Sequence, residues 1–343
     1  MIKRVDVSKL RQLCPSLEDE CLSTIKEKCP DLDNICISQM DYMLVGKENF
    51  NPETVEKMRY YDDQYFDLCE QVIENGKWVK NERTGKRCLT SIGHFMQFDL
   101  SGTEAFPILT TKKMAYKPMI AEKLGFIRAV DNAKDFRDLG CKIWDANANG
   151  SRHWLENPNR KGLDDLGRIY GVQARKWKTP DGKEIDQLGT VVEKIMKKHD
   201  DRRLIITHWN PAELEQMALP PCHLLYQFAI VENTLHLSLY QRSADIPLGI
   251  PFNIASYSLL LKLIAKMAGL EAGTFSHTIH NAHIYEDQLE PLYEQLGRLA
   301  KPSPNLVLPE VKSLKCLETW VTVDDFEVKH YNPHPAIKFP FAE

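Results

Sequence analysis

Apolar residues change period several times along the chain. From Glu53 to about Gly76 they recur every three or four residues, which predicts a helix closed by glycine. NERTGKRCLTSIGHFMQFDL then alternates apolar with polar, predicting strands joined by a turn at Thr84-Gly85. FPILTTKKMAYKPMIAEKLGFIRAV reads as a strand followed by a helix that carries Glu122 among apolar neighbours. Residues 186–198 predict another helix, and HDDRRLIITHW leads from Arg202 and Arg203 into an apolar strand. YSLLLKLIAKMAGLEAG is apolar on nearly every side, predicting a buried helix stopped by Gly269 and Gly273. In FSHTIHNAHIY a strand puts His283 and Tyr285 on one face, and EDQLEPLYEQLGRLA follows as an amphipathic helix. Strands and helices are segregated rather than regularly alternated, so the expected class is α+β.

Two regions depart from this pattern. The polar run from DLGCKIWDANANG to GVQARKW is rich in asparagine, glycine and aromatics, which suits an ordered functional loop. Its Trp144, Trp154, Tyr170 and Trp177 suit either packing or stacking on a flat ligand. Residues 1–60 carry Cys14, Cys21, Cys29 and Cys36 at intervals of seven or eight, the spacing of one helix face rather than of a metal site. They are expected to form a small helical appendage, residues 61–343 the main domain. Partner binding is the other reading of the appendage.

Composition narrows the class. With 343 residues, 43% hydrophobic, the chain can build a sizeable core. A net charge of −4 argues against a non-specific nucleic-acid binder. No apolar run approaches the roughly 18 residues of a membrane span. Nine cysteines without a CxxC pair suit reduced thiols, hence a cytoplasmic setting and no metal.

The chemistry concentrates in MALPPCHLLYQFAIVENTLHLSLYQRSADIPLGIPFNIASY, residues 217–257. Two prolines lock the backbone before Cys222, so its thiol sits on a rigid elbow. His223 is adjacent, and Arg242 follows on the next apparent strand. A guanidinium beside a thiol favours the thiolate, and the same group can clamp a phosphate bidentately. Arg83 in its turn and the Arg202–Arg203 pair are further candidates for an anion, and a semi-buried Glu122 needs partners or a task.

PPCHLLYQF followed by QRSADIPLGIPFNIASY resembles the active-site core of the thymidylate synthase family. The resemblance runs from about Tyr61 to the C-terminus, through RTG at Arg83, FPILTTKK, IWDANAN, DDLGRIYGVQ, DDRRLIITHWN, NAHIY and YNPHPAIK. With QRSAD and GIPFNIASY counted separately, ten motifs in register are a specific signal. The resemblance implies a large twisted mixed β-sheet at a homodimer interface, with flanking helices. It also implies folate-dependent alkylation of a pyrimidine nucleotide at C5, with dUMP and 5,10-methylenetetrahydrofolate as substrates. Cys222 is then the nucleophile at C6, Glu122 the general acid/base, and Tyr170 a helper in removing the C5 proton. Arg242, Arg83 and Ser243, with Arg202 and Arg203 of the other subunit, bind phosphate. Asn253 reads the O4 and N3 edge, and His283 and Tyr285 take the ribose hydroxyl. His223 and Gln241 line the nucleotide site. Asp245 and Trp144 face the folate, and the C-terminal residues, Ala342 among them, close over it.

Four positions depart from the family pattern. Gly125 and Asn147 stand where tryptophan is common, Asn281 where aspartate is common, and Glu343 where a small aliphatic residue usually ends the chain. A terminal carboxylate brings water toward a methylene intermediate that otherwise takes hydride. The expected product is therefore 5-hydroxymethyl-dUMP, as in family members that serve viruses with modified thymine. The alternative is dTMP with dihydrofolate. A third reading is an inactive relative that binds nucleotide or RNA.

Overall fold

A computed structural model describes residues 52–341 apart from Arg83, Thr103 and Asp200; within it, side chains are described from Tyr61 onward. The cysteine-bearing segment before residue 52 lies outside the described residues. Helix α1 (Pro52–Asn75) runs across the expected boundary at 60/61.

Alternating sequence builds one six-stranded sheet from β1 (Lys77–Lys80), β2 (Arg87–Asp99), β3 (Ile205–Thr207), β4 (His223–Val231), β5 (Thr234–Asp245) and β6 (Glu271–Tyr285). Their spatial order is β1-β2-β6-β5-β4-β3. All neighbours are antiparallel except β5 and β6. That parallel pair needs a crossover, which α5 (Ile250–Ala268) supplies. Ahead of it in the chain lie α2 (Tyr116–Ile127), α3 (Tyr170–Arg175) and α4 (Gln187–Met196). The fold is thus a mixed sheet with flanking helices, as expected.

The all-round apolar sequence of α5 is buried along nearly its whole length. Gly269 closes it in the left-handed region at φ 61°, where a side chain would be strained. Gly273, expected as a second stop, lies instead inside β6. There a Cβ would meet Thr234 and His236 within 2.8 Å. The sheet's helix-covered face carries Phe98, Tyr226, Phe228, Leu237 and Phe275, all buried. The opposite face is left open. Phe95, Thr278, Tyr240, Leu225 and Thr207 form one cross-strand row there. Phe95 is 61% and Leu225 37% exposed. An open, half-apolar sheet face of this extent suits a partner surface.

The polar run after Leu139 folds into short helices, Asp145–Asn149 and Arg152–Leu155. Asp164 ties down the first of them, accepting from Asn149 at 2.7 Å and from the preceding Arg137 at 2.7 Å. Trp144, Trp154 and Tyr170 belong to a second buried core. Trp154 is fully buried and donates to the Asp165 carbonyl at 2.7 Å, so it is a packing residue rather than a ligand stack.

Candidate active site

The site begins with how the chain delivers Cys222. Residues 166–168 hold the strand before it: Arg168 N donates to the Gln216 carbonyl and Ala218 N to the Leu166 carbonyl. Gly167, at φ 67°, lies so close to the Gln216 carbonyl that any Cβ would collide with it. Below, Glu213 is buried and accepts from Arg168 at 2.6 Å, Gln173 at 2.8 Å and Asn210 at 3.2 Å. These contacts fix the run into Pro220-Pro221.

Cys222 follows, half-buried. Its backbone N–H donates to the Tyr170 hydroxyl at 2.8 Å, and its carbonyl accepts from Arg242 N at 2.9 Å. The Arg242 side chain turns back on the elbow, donating to the Pro221 carbonyl at 2.9 Å and the Pro220 carbonyl at 3.1 Å. It also lies 5.5 Å from the Trp209 ring centroid. Arg242 therefore braces the Cys222 elbow, beyond the thiol and phosphate roles expected of it.

Helix α2 contributes Glu122, whose carboxylate accepts from Trp144 Nε1 at 3.0 Å. Burial raises its pKa above the ordinary carboxylate range, against the opposing pull of Lys123 and the Trp144 hydrogen bond. Lys123 is buried beside it, its ammonium 4.1 Å from the Tyr257 ring centroid. Burial pushes that amine down to about 8. Tyr170 stacks on Phe126 at 5.1 Å and meets Trp144 and His223 edge-on. Burial holds its phenol well above the usual range.

The strand register assembles the remainder. His223 pairs with Gln241 across β4 and β5. The Tyr257 hydroxyl lies 3.2 Å from His223 Nδ1, and burial keeps that ring neutral, well below its ordinary pKa. Gln241 Nε2 donates to Asn253 Oδ1 at 3.2 Å and to the Ser243 carbonyl at 2.9 Å. In the parallel pair, Ser243 stands beside Asn281 and Asp245 beside His283. His283 Nδ1 lies 2.9 Å from Asn281 Oδ1, and its ring meets Tyr285 edge-on. Asn281 thus keeps a carbonyl oxygen where the family pattern has a carboxylate. Asp245 accepts from Leu248 N at 3.1 Å and from Gln288 Nε2 at 3.0 Å, and burial raises its pKa.

Arg202 and Arg203 are not brought to this cluster. Both are exposed beside edge strand β3, and Arg203 donates to Asp201 at 2.9 Å. The Arg202 carbonyl accepts from Gln227, five residues along from Cys222, a strand distance of roughly 16 Å. They stand at the rim of the open sheet face. Arg83, Ala342 and Glu343 lie outside the described residues.

Several site residues carried no sequence signal. Gln288 bridges Asp245 to the tail, donating to the Pro340 carbonyl at 3.0 Å. His208, buried and held down to about 4, packs edge-on against Tyr170. Lys123, His208 and Gln288 were hidden for one reason: each acts through tertiary neighbours rather than through spacing.

The family model for thymidylate synthase matches residues 63–343. The chain belongs to the thymidylate synthase family. It is 52% identical over 281 residues to thymidylate synthases of Shewanella halifaxensis and of Tolumonas auensis, covering 81% of this chain and 99% of each relative. A Haemophilus influenzae thymidylate synthase is 50% identical over the same coverage. Among the described residues of this family member, no helix is long and apolar enough to cross a membrane.

Proposed function

We propose that the chain is a thymidylate synthase, converting dUMP to dTMP with 5,10-methylenetetrahydrofolate as cosubstrate and dihydrofolate as the second product. The observation that carries it is Cys222 on its braced proline elbow, hydrogen-bonded to Tyr170, which itself packs on the Trp144 that holds Glu122. C5 of a uracil ring is a poor nucleophile. Addition of the Cys222 thiolate at C6 places electron density on C5 and makes it reactive. The folate supplies the one-carbon unit and the hydride.

The chain's own groups divide the remaining work. Glu122, whose pKa burial raises, can give or take a proton at the ring. Tyr170 meets the site as a neutral phenol, so it positions the acceptor of the C5 proton rather than acting as a phenolate. Asn253 donates to O4 and accepts from N3–H. Arg242 and Ser243, with Arg83, take the phosphate; His283 and Tyr285 take the ribose hydroxyl; His223 and Gln241 hold the base end. The residues available to a pterin fit it: Asp245 is part-accessible, can accept from the ring's N–H edge, and is tied through Gln288 to the tail at Pro340. The enzyme works as a homodimer through the open sheet face, which carries Arg202 and Arg203 toward the partner's phosphate site.

Water capture, giving 5-hydroxymethyl-dUMP, was the product expected from Glu343. It has no support in the relatives, which are named thymidylate synthase over nearly their full length. An inactive nucleotide- or RNA-binding relative is disfavoured by the assembled nucleophile and acid/base pair. Folate-dependent release of tritium from C5 of labelled dUMP tests the chemistry. Wild type should release it, and Cys222→Ala should lose release by at least ~1,000-fold while still binding dUMP. Substantial release by Cys222→Ala would contradict the covalent route.

A further inference from the structure

We infer that His277, buried behind the nucleotide site, fixes which way the Asn253 amide faces and so sets the preference for uracil over cytosine. His277 lies in β6, fully buried, with its ring 5.6 Å from that of Phe275. Its Nε2 is 2.8 Å from Gln241 Oε1, and its Nδ1 has no hydrogen-bond partner. Gln241 Nε2 spends its hydrogens on the Ser243 carbonyl at 2.9 Å and Asn253 Oδ1 at 3.2 Å. Only the Gln241 oxygen is left to face His277, and an amide oxygen can only accept. The hydrogen between them therefore sits on His277 Nε2. Burial holds the ring down to about 3, so it is neutral and Nε2 carries its one hydrogen.

Donation then runs in one direction, from His277 to Gln241 to Asn253. Asn253 Oδ1 receives one hydrogen from Gln241 and keeps a lone pair for N3–H, while its Nδ2 is left to meet O4. Cytosine reverses both groups, offering a bare N3 and a 4-amino donor. It would fit the Asn253 amide turned over. Turned over, Nδ2 would face the Gln241 N–H, donor against donor, leaving two buried donors unsatisfied. Discrimination is thus as firm as the anchoring of Gln241 together with that of His223, whose side chain also hydrogen-bonds Asn253. His277 is a positioning residue, since it touches Gln241 rather than the base.

The inference rests on Asn253 reading the base edge, and the experiment separates the two. The arms are Asn253→Asp, His277→Phe, which keeps the stack but removes the donor, and His277→Gln, which keeps a donor. The readouts are kcat and KM for dUMP and the inhibition constant of dCMP. His277→Phe should raise the dUMP KM ~10-fold with a smaller change in kcat, and lower the dCMP constant. His277→Gln should restore most of both. Unchanged constants in a folded His277→Phe would overturn the inference. So would a parallel loss of dUMP and dCMP binding, or a His277→Gln no better than His277→Phe, since either assigns the effect to packing. Nitrogen-15 NMR of the wild-type imidazole adds a readout independent of any variant's folding: a neutral ring protonated at Nε2 is expected, and protonation at Nδ1 or an imidazolium at neutral pH overturns it. If Asn253→Asp leaves base choice unchanged, the edge-reading itself fails. If Asn253→Asp shifts base choice and His277→Phe does not, only the role of His277 fails.

Discussion

Gly125 shows how one residue reports on its surroundings. It stands on α2 where the family pattern commonly has tryptophan, and the sequence gives no reason for the loss. The structure does: a Cβ at Gly125 would lie 2.2 Å from Cε1 of Phe136. The Phe136 ring fills that space, stacked on Trp144 at 5.9 Å and edge-on to Phe126 at 5.8 Å. The wall that positions Trp144, and through it Glu122, is built from Phe136 instead. Gly125→Ala should therefore lower stability by about 1–3 kcal/mol despite alanine's better helix propensity. Adding Phe136→Leu should recover part of that loss, a non-additivity expected only of side chains in contact. Thermal denaturation of the two single variants and the double variant measures it; strict additivity would contradict the contact.

At the scale of elements, α1 is fastened to the loop before α2 by a buried carboxyl. Asp62 accepts from Thr110 N at 3.3 Å, Thr110 Oγ1 at 3.2 Å and Thr111 Oγ1 at 3.2 Å. Burial outweighs these bonds and holds its pKa up at about 7. The native state keeps the proton to about pH 7, whereas the unfolded chain releases it near 3.8. Wild type then loses stability from this group as pH rises through that window, because the native state binds more protons there. Asp62→Asn carries no such loss, so its melting temperature relative to wild type should climb between about pH 4 and pH 7, by up to a few kcal/mol in stability terms. A difference flat in pH would mean that Asp62 is ionised in the native protein. Elements with a clear period were legible in the sequence: α1 and the bodies of α5 and β6 lie where apolar spacing puts them, although α5 begins at Ile250 and β6 at Glu271, ahead of the expected starts. The early start of β6 was not, because Gly273 is a sheet position made close by Thr234 and His236 rather than a helix stop. The expected reacting groups stood out in the sequence: Cys222, Tyr170 and Asn253 sit in specific motifs, and Glu122 is a carboxylate among apolar neighbours. The supporting groups, Lys123, His208, His277 and Gln288, did not, because burial and tautomer are set by neighbours far away in sequence.

The whole molecule presents one sheet face to its helices and leaves the other bare. Arg202 and Arg203 stand on the rim of the bare face, away from their own Cys222. In the proposed homodimer closed through that face, each subunit's arginines would serve the other's phosphate. Cys222→Ala and Arg202→Glu proteins, each inactive alone, should then complement when mixed with subunit exchange. Random pairing puts one complete site in half of the dimers, so activity should return to about a quarter of wild type. No recovery, with exchange verified, would place the arginines outside the shared site.

On the proposed reading, the site delivers hydride to the methylene intermediate. The direct test follows both products when purified protein turns over dUMP with 5,10-methylenetetrahydrofolate: dihydrofolate by its near-ultraviolet absorbance, the nucleotide by mass spectrometry. One dihydrofolate and one dTMP for every dUMP consumed is the predicted result. Accumulation of 5-hydroxymethyl-dUMP with tetrahydrofolate, and little dihydrofolate, would contradict it.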